Sequence, residues 1–175
     1  TLVLLPAKPV GLCRGPVQSA VEEAPPAADP LLQLCCTACQ RKAFEKLLLM
    51  LPKAQLSAGR QTVLSVTGRR GRGKSSVAGL FLAAALRSGC GVVVTGPALG
   101  SVQGIFKFAA RALSLPDVEA PCSSLAHGRA RFLPADHVSG FVSALAAVGD
   151  APVLVVDEMA SLPIPTLHQL LTSRT

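Results

Sequence analysis

The residues with the clearest chemical potential form a glycine-rich loop from Gly68 to Ser75. Its letters, G-R-R-G-R-G-K-S, match the pattern G-x-x-x-x-G-K-[ST] at every fixed position. Glycines let such a loop turn so that successive backbone N–H groups point at phosphate oxygens. The lysine can reach the β- and γ-phosphates, and the final hydroxyl can ligate Mg²⁺. The loop, termed the P-loop below, predicts a site for ATP or a close relative, with magnesium.

The predicted nucleotide contacts comprise this loop and the residue that follows it. They are Gly68, Arg69, Arg70, Gly71, Arg72, Gly73, Lys74, Ser75 and Ser76. Lys74 is also a predicted catalytic residue, because its ammonium group offsets the charge that develops in phosphoryl transfer. Ser75 is a predicted magnesium ligand. The three arginines either contact phosphates of nucleotide or RNA, or are solvated charges of a surface loop, and the sequence leaves both interpretations open.

A second chemical signal is an apolar run, 153–156, that ends in Asp157 and Glu158. In proteins with a P-loop, the first carboxylate after such a strand holds Mg²⁺, and the next one orients and polarises the attacking water. We therefore predict Asp157 as a magnesium ligand and Glu158 as a catalytic residue. The alternative is a pair of capping carboxylates at a strand end, and the upstream P-loop favours the catalytic interpretation.

Apolar runs alternate with helical periodicities along the chain, and these elements must position both motifs. Strands are predicted at 61–67, 92–95, 130–133 and 153–156, and helices at 38–51, 73–87, 102–113, 138–148 and from Pro165. Residues 114–128 are predicted to be an irregular insertion. Continuous apolar strands that alternate with helices indicate an α/β fold, a parallel sheet sandwiched by helices. Ligands of such sheets bind at the carboxyl ends of the strands, where the two motifs converge.

Domain organisation is predicted from composition and from the ends of the chain. Residues 1–30 are rich in proline, alanine and valine and are predicted to be a linker or the end of a preceding domain. Residues 31–175 are predicted to be one P-loop ATPase domain, truncated at its C-terminus and therefore with an incomplete sheet. The chain starts with threonine and stops soon after the acidic motif, which suggests a piece of a longer protein.

Bulk composition narrows the class of protein further. The net charge of +7, from 17 lysines and arginines against 10 acids, favours an anionic partner, although a general compositional bias is an equal alternative. No apolar run approaches the ~20 residues that cross a bilayer. We therefore predict no membrane association and a cytoplasmic location. Of six cysteines, Cys36 and Cys39 have C-x-x-C spacing, but no second ligand pair accompanies them, so free thiols are expected.

Two segments resemble one known family. The P-loop contains that family's R-G-R-G-K-S core. The run V-V-D-E-M-A-S-L-P-I-P, residues 155–165, is similar to its V-V-D-E-A-A-A-I-P-x-P. The resemblance extends from about Thr37 to Leu171, and the family is the RNA cytidine acetyltransferases. The chain departs from the pattern at Gly68, where the family often has alanine, and at Met159 and Ser161, which replace small alanines.

The resemblance implies a RecA- or RecD-like P-loop NTPase module of an enzyme that forms N4-acetylcytidine. Such enzymes use ATP and acetyl-CoA, and their partners are tRNA or other structured RNA such as rRNA. The implied location is the cytoplasm, or the nucleolus in a eukaryote. The acetyl-CoA site is expected in a part of the protein beyond this chain. The alternatives are a RecD-like DNA or RNA helicase without acetyltransferase activity, or a truncated nucleotide-binding fragment with no independent activity.

The resemblance adds one more candidate residue. Thr37-x-x-Gln40, ahead of the first predicted helix, is similar to the family's T-x-x-Q. In such modules the glutamine typically contacts adenine, so the resemblance implies that Gln40 binds the nucleotide base. From the residues alone, Gln40 is an exposed side chain near a helix start.

Overall fold

The computed structural model describes residues 2–5, 29–51, 62–116, 122–137, 140–148 and 152–172. The strands are β1 (Leu2–Leu5), β2 (Thr62–Ser65), β3 (Val92–Gly96), β4 (Ser124–Leu125), β5 (Ala130–Pro134) and β6 (Val153–Val156). The α-helices are α1 (Ala38–Leu48), α2 (Lys74–Arg87), α3 (Leu99–Ala112), α4 (Phe141–Val148) and α5 (Ile164–Thr172). Short 3-10 helices span Pro30–Leu34 and Met159–Ser161.

The six strands form one sheet in the order β2-β1-β6-β3-β5-β4. β3 pairs in parallel with both β5 and β6, as the apolar strands predicted. β1 runs antiparallel to its neighbours β2 and β6, and β4 runs antiparallel to β5. Because β1 is antiparallel to both of its neighbours, β2 and β6 point the same way, and their carboxyl ends lie at one edge of the sheet.

Helices cover both faces of the sheet, which confirms the predicted α/β sandwich. On one face, α1, α2 and α3 pack in a single core with alternate residues of β3 and β6, Val92, Val94, Val153 and Val155. On the other face, α4 and α5 pack on Val93, Leu154 and Val156. The alternation along each strand explains this division, since successive side chains of a strand point to opposite faces.

The helix that the P-loop opens is buried on nearly all sides. Residues 77–86 of α2 are all buried, so this helix is apolar around its whole circumference. A single exposed arginine, Arg87, marks its last turn. Among the residues described, no helix has the length and apolar character needed to cross a membrane.

The structure differs from the sequence predictions at three strands. Residues 1–30 were expected to be a linker or the end of a preceding domain, but Leu2–Leu5 forms the strand β1 inside the sheet, and residues 6–28 lie outside the described residues. Part of the predicted irregular insertion, Ser124–Leu125, forms the edge strand β4. The predicted strand 61–67 is shorter, Thr62–Ser65, because the chain leaves the sheet early to build the P-loop. The first two differences arise because β1 and β4 form by pairing with other strands, and such pairing leaves no periodic pattern in the local sequence.

Candidate nucleotide site

The P-loop joins the carboxyl end of β2 to the first turn of α2, as the motif requires. Gly71 and Gly73 have φ angles of +78° and +77°. These left-handed conformations are accessible to glycine without the steric penalty that a Cβ brings. α2 starts directly after the second glycine, at Lys74. The positive end of the helix dipole therefore faces the loop, which favours an anion there.

Lys74 closes the P-loop on itself. Its Nζ donates to the carbonyl oxygens of Gly68 at 2.9 Å and Arg69 at 3.1 Å. The ammonium group thus lies over the loop, within reach of the space that its backbone encloses. Phosphate oxygens are charged acceptors and make stronger hydrogen bonds with an ammonium group than carbonyl oxygens do. Lys74 is placed to exchange these two carbonyls for a phosphate.

The structure brings the two halves of the predicted site into direct contact. Ser75, the second residue of α2, donates through Oγ to Oδ2 of Asp157 at 3.1 Å. Asp157 follows β6 and is 4% exposed. Its backbone N–H donates to the carbonyl of Thr95 at the end of β3, 2.9 Å away. The backbone of Asp157 is therefore held at the end of the parallel strands by a neighbouring strand.

Glu158 lies one residue further on and differs from Asp157 in exposure and in backbone conformation. It is exposed, with φ 48° and ψ 40°, a left-handed conformation that is uncommon for a residue with a side chain. The other oxygen of Asp157, Oδ1, accepts its backbone N–H at 3.0 Å. Backbone strain of this kind clusters at functional sites. The turn leaves the Glu158 carboxylate at the rim of the cleft described next.

A cleft of about 580 Å³ lies between the P-loop and the end of β6. Its size is within the range of about 300–1,000 Å³ typical of small-molecule sites. The residues that line it are Ser65, Val66, Thr67, Gly68, Arg70, Gly71, Gly73, Lys74, Ser75, Ser76, Ser101, Asp157, Glu158, Met159 and Ala160. Both predicted motifs thus converge on one crevice at the carboxyl edge of the sheet.

Three predicted nucleotide contacts are not among the residues that line this cleft. Arg70 lines it, whereas Arg69 and Arg72 do not. All three arginines are exposed, and neither of the two ion pairs recorded among the described residues includes them. Gln40 does not line the cleft either. Its carboxamide bonds instead to the backbone of its own helix cap and of the P-loop.

Sequence reasoning did not assign a role in the site to Ser101 or Thr95. Ser101 lies in the first turn of α3 and lines the cleft. A serine soon after the apolar strand β3, at the same sheet edge, was the signal that could have found it. Thr95 is the penultimate residue of that strand, and its hydroxyl is the one buried side-chain polar atom without a hydrogen-bond partner among the residues described.

The cysteines before and within α1 form neither a disulfide nor a metal cluster in the part of the chain that the structure describes. Cys36 and Cys39 are exposed free thiols, and Cys35 is half-buried. Burial raises the pKa of the Cys35 thiol, although the nearby Arg41 guanidinium lowers it in part. A raised pKa disfavours the reactive thiolate.

Comparison with known proteins identifies the family. A family profile described as "RNA cytidine acetyltransferase NAT10/TcmA, helicase domain" matches residues 65–175. The chain is 31% identical over 138 residues to the tRNA(Met) cytidine acetyltransferase TmcA of Nitrosococcus halophilus, covering 78% of this chain and 17% of that protein. It is 38% identical over 120 residues to the TmcA of Thermofilum pendens, covering 62% and 15%.

A eukaryotic relative aligns over more of the chain. The RNA cytidine acetyltransferase of Caenorhabditis elegans is 26% identical over 171 residues, covering 89% of this chain and 16% of that protein. The chain therefore spans about a sixth of the length of these relatives. The matched segment contains the P-loop, the two carboxylates that follow β6 and the cleft between them. This chain belongs to the RNA cytidine acetyltransferase family and corresponds to part of its helicase domain.

Proposed function

We propose that this chain binds and hydrolyses ATP with Mg²⁺, as the RecD-like ATPase module of an RNA cytidine acetyltransferase. One observation carries the proposal, the 3.1 Å hydrogen bond between Ser75 Oγ and Asp157 Oδ2. The two residues are 82 positions apart in the chain. Each is the magnesium-binding position of its own motif. Their meeting at the mouth of the P-loop supports a working Mg²⁺–triphosphate site rather than two chance matches.

The residues present fit the ion that the motifs imply. A hydroxyl and a carboxylate are hard oxygen donors, which Mg²⁺ prefers, and Mg²⁺ usually takes few protein ligands besides water and phosphate. Ser75 and Asp157 are the residues that would hold it. When bound, Mg²⁺ neutralises charge on the β- and γ-phosphate oxygens.

Backbone and side-chain groups of this chain have the remaining roles in phosphate binding and hydrolysis. The N–H groups of the P-loop and the start of α2 bind the phosphates. Lys74 gives up the Gly68 and Arg69 carbonyls and donates to phosphate oxygens. Glu158, exposed at the rim, accepts a hydrogen bond from the attacking water and orients it. Arg70, on the cleft lining, supplies a further positive charge beside the phosphates.

The wider role of the parent protein follows from its relatives. Their names assign acetylation of cytidine in tRNA(Met) or RNA. We propose the same for the parent of this chain, with acetyl-CoA bound outside these residues and with ATP turnover driving the positioning of tRNA or another structured RNA. Such a protein works in the cytoplasm, or in the nucleolus when its substrate is rRNA. The relatives favour this function over that of a helicase without acetyltransferase activity.

ATP binding is tested directly by Lys74→Ala. Charge-assisted hydrogen bonds contribute about 1.5–3 kcal/mol each, so the dissociation constant for Mg²⁺–ATP should rise at least about 10-fold. Calorimetric titration of the wild-type and variant chains measures it, with a thermal melt to check folding. Lys107→Ala removes an exposed lysine of α3 and serves as the matched control. Equal affinity of Lys74→Ala and wild type would refute the P-loop site.

The assignment of the acetylation chemistry to another part of the parent protein has its own test. This 175-residue chain, incubated with acetyl-CoA, ATP and tRNA, should form no N4-acetylcytidine. Mass spectrometry of the digested RNA provides the measurement, and the parent protein is the positive control. Acetylated cytidine in the reaction with the short chain would place the acetyl-transfer site within these residues.

A further inference from the structure

Gln40 connects two elements that lie far apart in the sequence. Its Oε1 accepts the backbone N–H groups of Cys36 at 2.9 Å and Thr37 at 3.2 Å, just before α1. The Thr37 Oγ1 accepts the Gln40 N–H at 3.2 Å, which completes a capping box. The other end of the same carboxamide, Nε2, donates to the Arg72 carbonyl in the P-loop at 3.4 Å. One side chain thus bonds to the cap of α1 and to the phosphate-binding loop.

The carboxamide also packs directly on the backbone of the P-loop. A Cβ built on Gly73 would collide with Nε2 of Gln40. Gly73 is the left-handed residue from which α2 starts. A glycine is therefore suited to this position for two reasons, its φ angle and the side chain that lies over it. The peptide between Arg72 and Gly73 is held from outside the cleft by Gln40.

The helix that carries Gln40 is itself well anchored. Phe44 and Leu47 of α1 are fully buried and belong to the same core as α2. The first turn of α1 is fixed by its capping box, so Gln40 extends from a rigid support. A loop whose backbone N–H groups must converge on phosphate gains from such an external restraint, because less freedom is lost when the ligand binds.

We propose that Gln40 is a positioning residue for the triphosphate, which acts by holding the Arg72 carbonyl and thereby orienting the N–H groups of the P-loop. This inference rests on the proposed ATP site and departs from the adenine contact that the family resemblance implies. The carboxamide oxygen is engaged by the cap of α1, and the nitrogen faces the loop rather than the cleft. Gln40 therefore acts on the phosphates, which all nucleoside triphosphates share, and not on the base.

Two substitutions of Gln40 separate its contacts. Gln40→Met is similar in length, is uncharged and removes all three hydrogen bonds of the side chain, two to the cap of α1 and one to Arg72. Gln40→Glu keeps an oxygen for the cap of α1 but replaces the donor to Arg72 with a second oxygen, which repels the carbonyl. The control is Gln103→Met, which removes a carboxamide of α3 that bonds to the backbone of Leu99 and Cys122 and not to the P-loop.

The measurement is the dissociation constant for Mg²⁺ complexes of three probes, ATP, GTP and inorganic triphosphate, with each variant of the full chain. Loss of the hydrogen bond to the Arg72 carbonyl should raise the dissociation constants of Gln40→Met by about 2- to 10-fold, by the same factor for all three probes. Gln40→Glu should lose more affinity than Gln40→Met, again by the same factor for all three probes. Gln103→Met should lower the melting temperature and leave the three dissociation constants near those of the wild type.

The probes distinguish positioning from base recognition and from general destabilisation. A loss confined to ATP, with GTP and inorganic triphosphate unchanged, would identify Gln40 as an adenine ligand and overturn the inference. Unchanged dissociation constants in both Gln40 variants would also overturn it, as would an equal loss of affinity in Gln103→Met. Failure of the wild-type chain to bind any probe would instead refute the proposed function itself, and the inference with it.

Discussion

The two halves of the candidate site are built into the sheet in different ways. Asp157 and Glu158 follow β6, which pairs in parallel with β3 from Val153 to Val156. The P-loop follows β2, which among the strands described pairs only with β1. β1 in turn pairs with β6 and runs opposite to both neighbours. The acidic half lies at the end of a central parallel strand, whereas the P-loop half joins the sheet through one reversed strand.

This difference shows that the contact between Ser75 and Asp157 depends on the tertiary structure and not on either motif alone. Each motif is local and short, but their 3.1 Å contact depends on β1 between the two strands and on the buried helix α2. Chemistry and architecture can therefore be perturbed separately. The acidic half should respond to changes of charge, and the P-loop half also to changes in the reversed strand.

The largest expected effect is on turnover in the acidic half. Glu158→Gln should retain Mg²⁺–ATP affinity and lose hydrolysis by about 10²- to 10⁴-fold, because a neutral amide polarises the attacking water far less than a carboxylate does. Phosphate release and calorimetric titration measure the two quantities. Asp136→Asn, an exposed carboxylate on the chain after β5, is the control. Hydrolysis at the wild-type rate would remove Glu158 from the mechanism.

The architecture of the P-loop half is tested by a proline in β1. Val3 lies opposite Leu64 in β2 and Val155 in β6, so Val3→Pro removes a ladder N–H in the interior of the sheet. An acceptor left without its donor costs about 1–3 kcal/mol. Amide exchange should accelerate in β2 more than in β3 and β5, and Mg²⁺–ATP affinity should fall.

A matched proline at the sheet edge provides the control for that experiment. Ser124 is the first residue of the edge strand β4, a position where proline is tolerated. Ser124→Pro should leave the exchange rates in β2 and the affinity for Mg²⁺–ATP unchanged. Equal protection of β2 in Val3→Pro and the wild type would show that the P-loop half does not depend on β1.

The contact between the two halves is measured by a double-mutant cycle of Ser75→Ala and Asp157→Asn. Residues that share a ligand or a hydrogen bond typically show coupling energies of about 0.5–3 kcal/mol. We expect coupling of this size for ATP binding with Mg²⁺, and less when Mg²⁺ is withheld. Strict additivity with Mg²⁺ present would mean that the two residues do not act on one ion.

The smallest expected effect concerns Thr95, next to the acidic half. Its buried hydroxyl has no partner among the residues described, so Thr95→Val, of similar shape, should raise the free energy of unfolding by about 1 kcal/mol. Chemical denaturation measures the change. Thr95→Ser keeps the hydroxyl and should give no gain. A loss of stability in Thr95→Val would mean that the hydroxyl is satisfied in solution.

The sequence predicted those parts of the site that are encoded locally. The P-loop glycines, Lys74 and the carboxylates after β6 stand at fixed positions in short motifs, and the strand and helix around the loop have clear apolar patterns. The buried face of α3, including Val102, Ile105 and Phe106, follows directly from helical periodicity. These features need no knowledge of which distant segments meet.

The remainder depends on long-range contacts and could not be predicted. Leu2–Leu5 has no period of its own and becomes a strand because it pairs with residues 62–65 and 154–156. The bond from Gln40 to the Arg72 carbonyl requires the packing of α1 on α2. Ser101 faces the cleft because α3 starts at the same edge as the P-loop helix. Strand pairing and helix placement depend on the tertiary structure and not on the local sequence.

Gly79 sets the spacing of the two helices that frame the cleft. It lies in α2, and a Cβ there would come within 2.6 Å of the Ile105 carbonyl oxygen and of the Phe108 Cβ on α3. α2 begins at the P-loop, and α3 carries Ser101, which also lines the cleft. The absence of a side chain at Gly79, a position that does not line the cleft, thus lets the two helices pack backbone against backbone behind it.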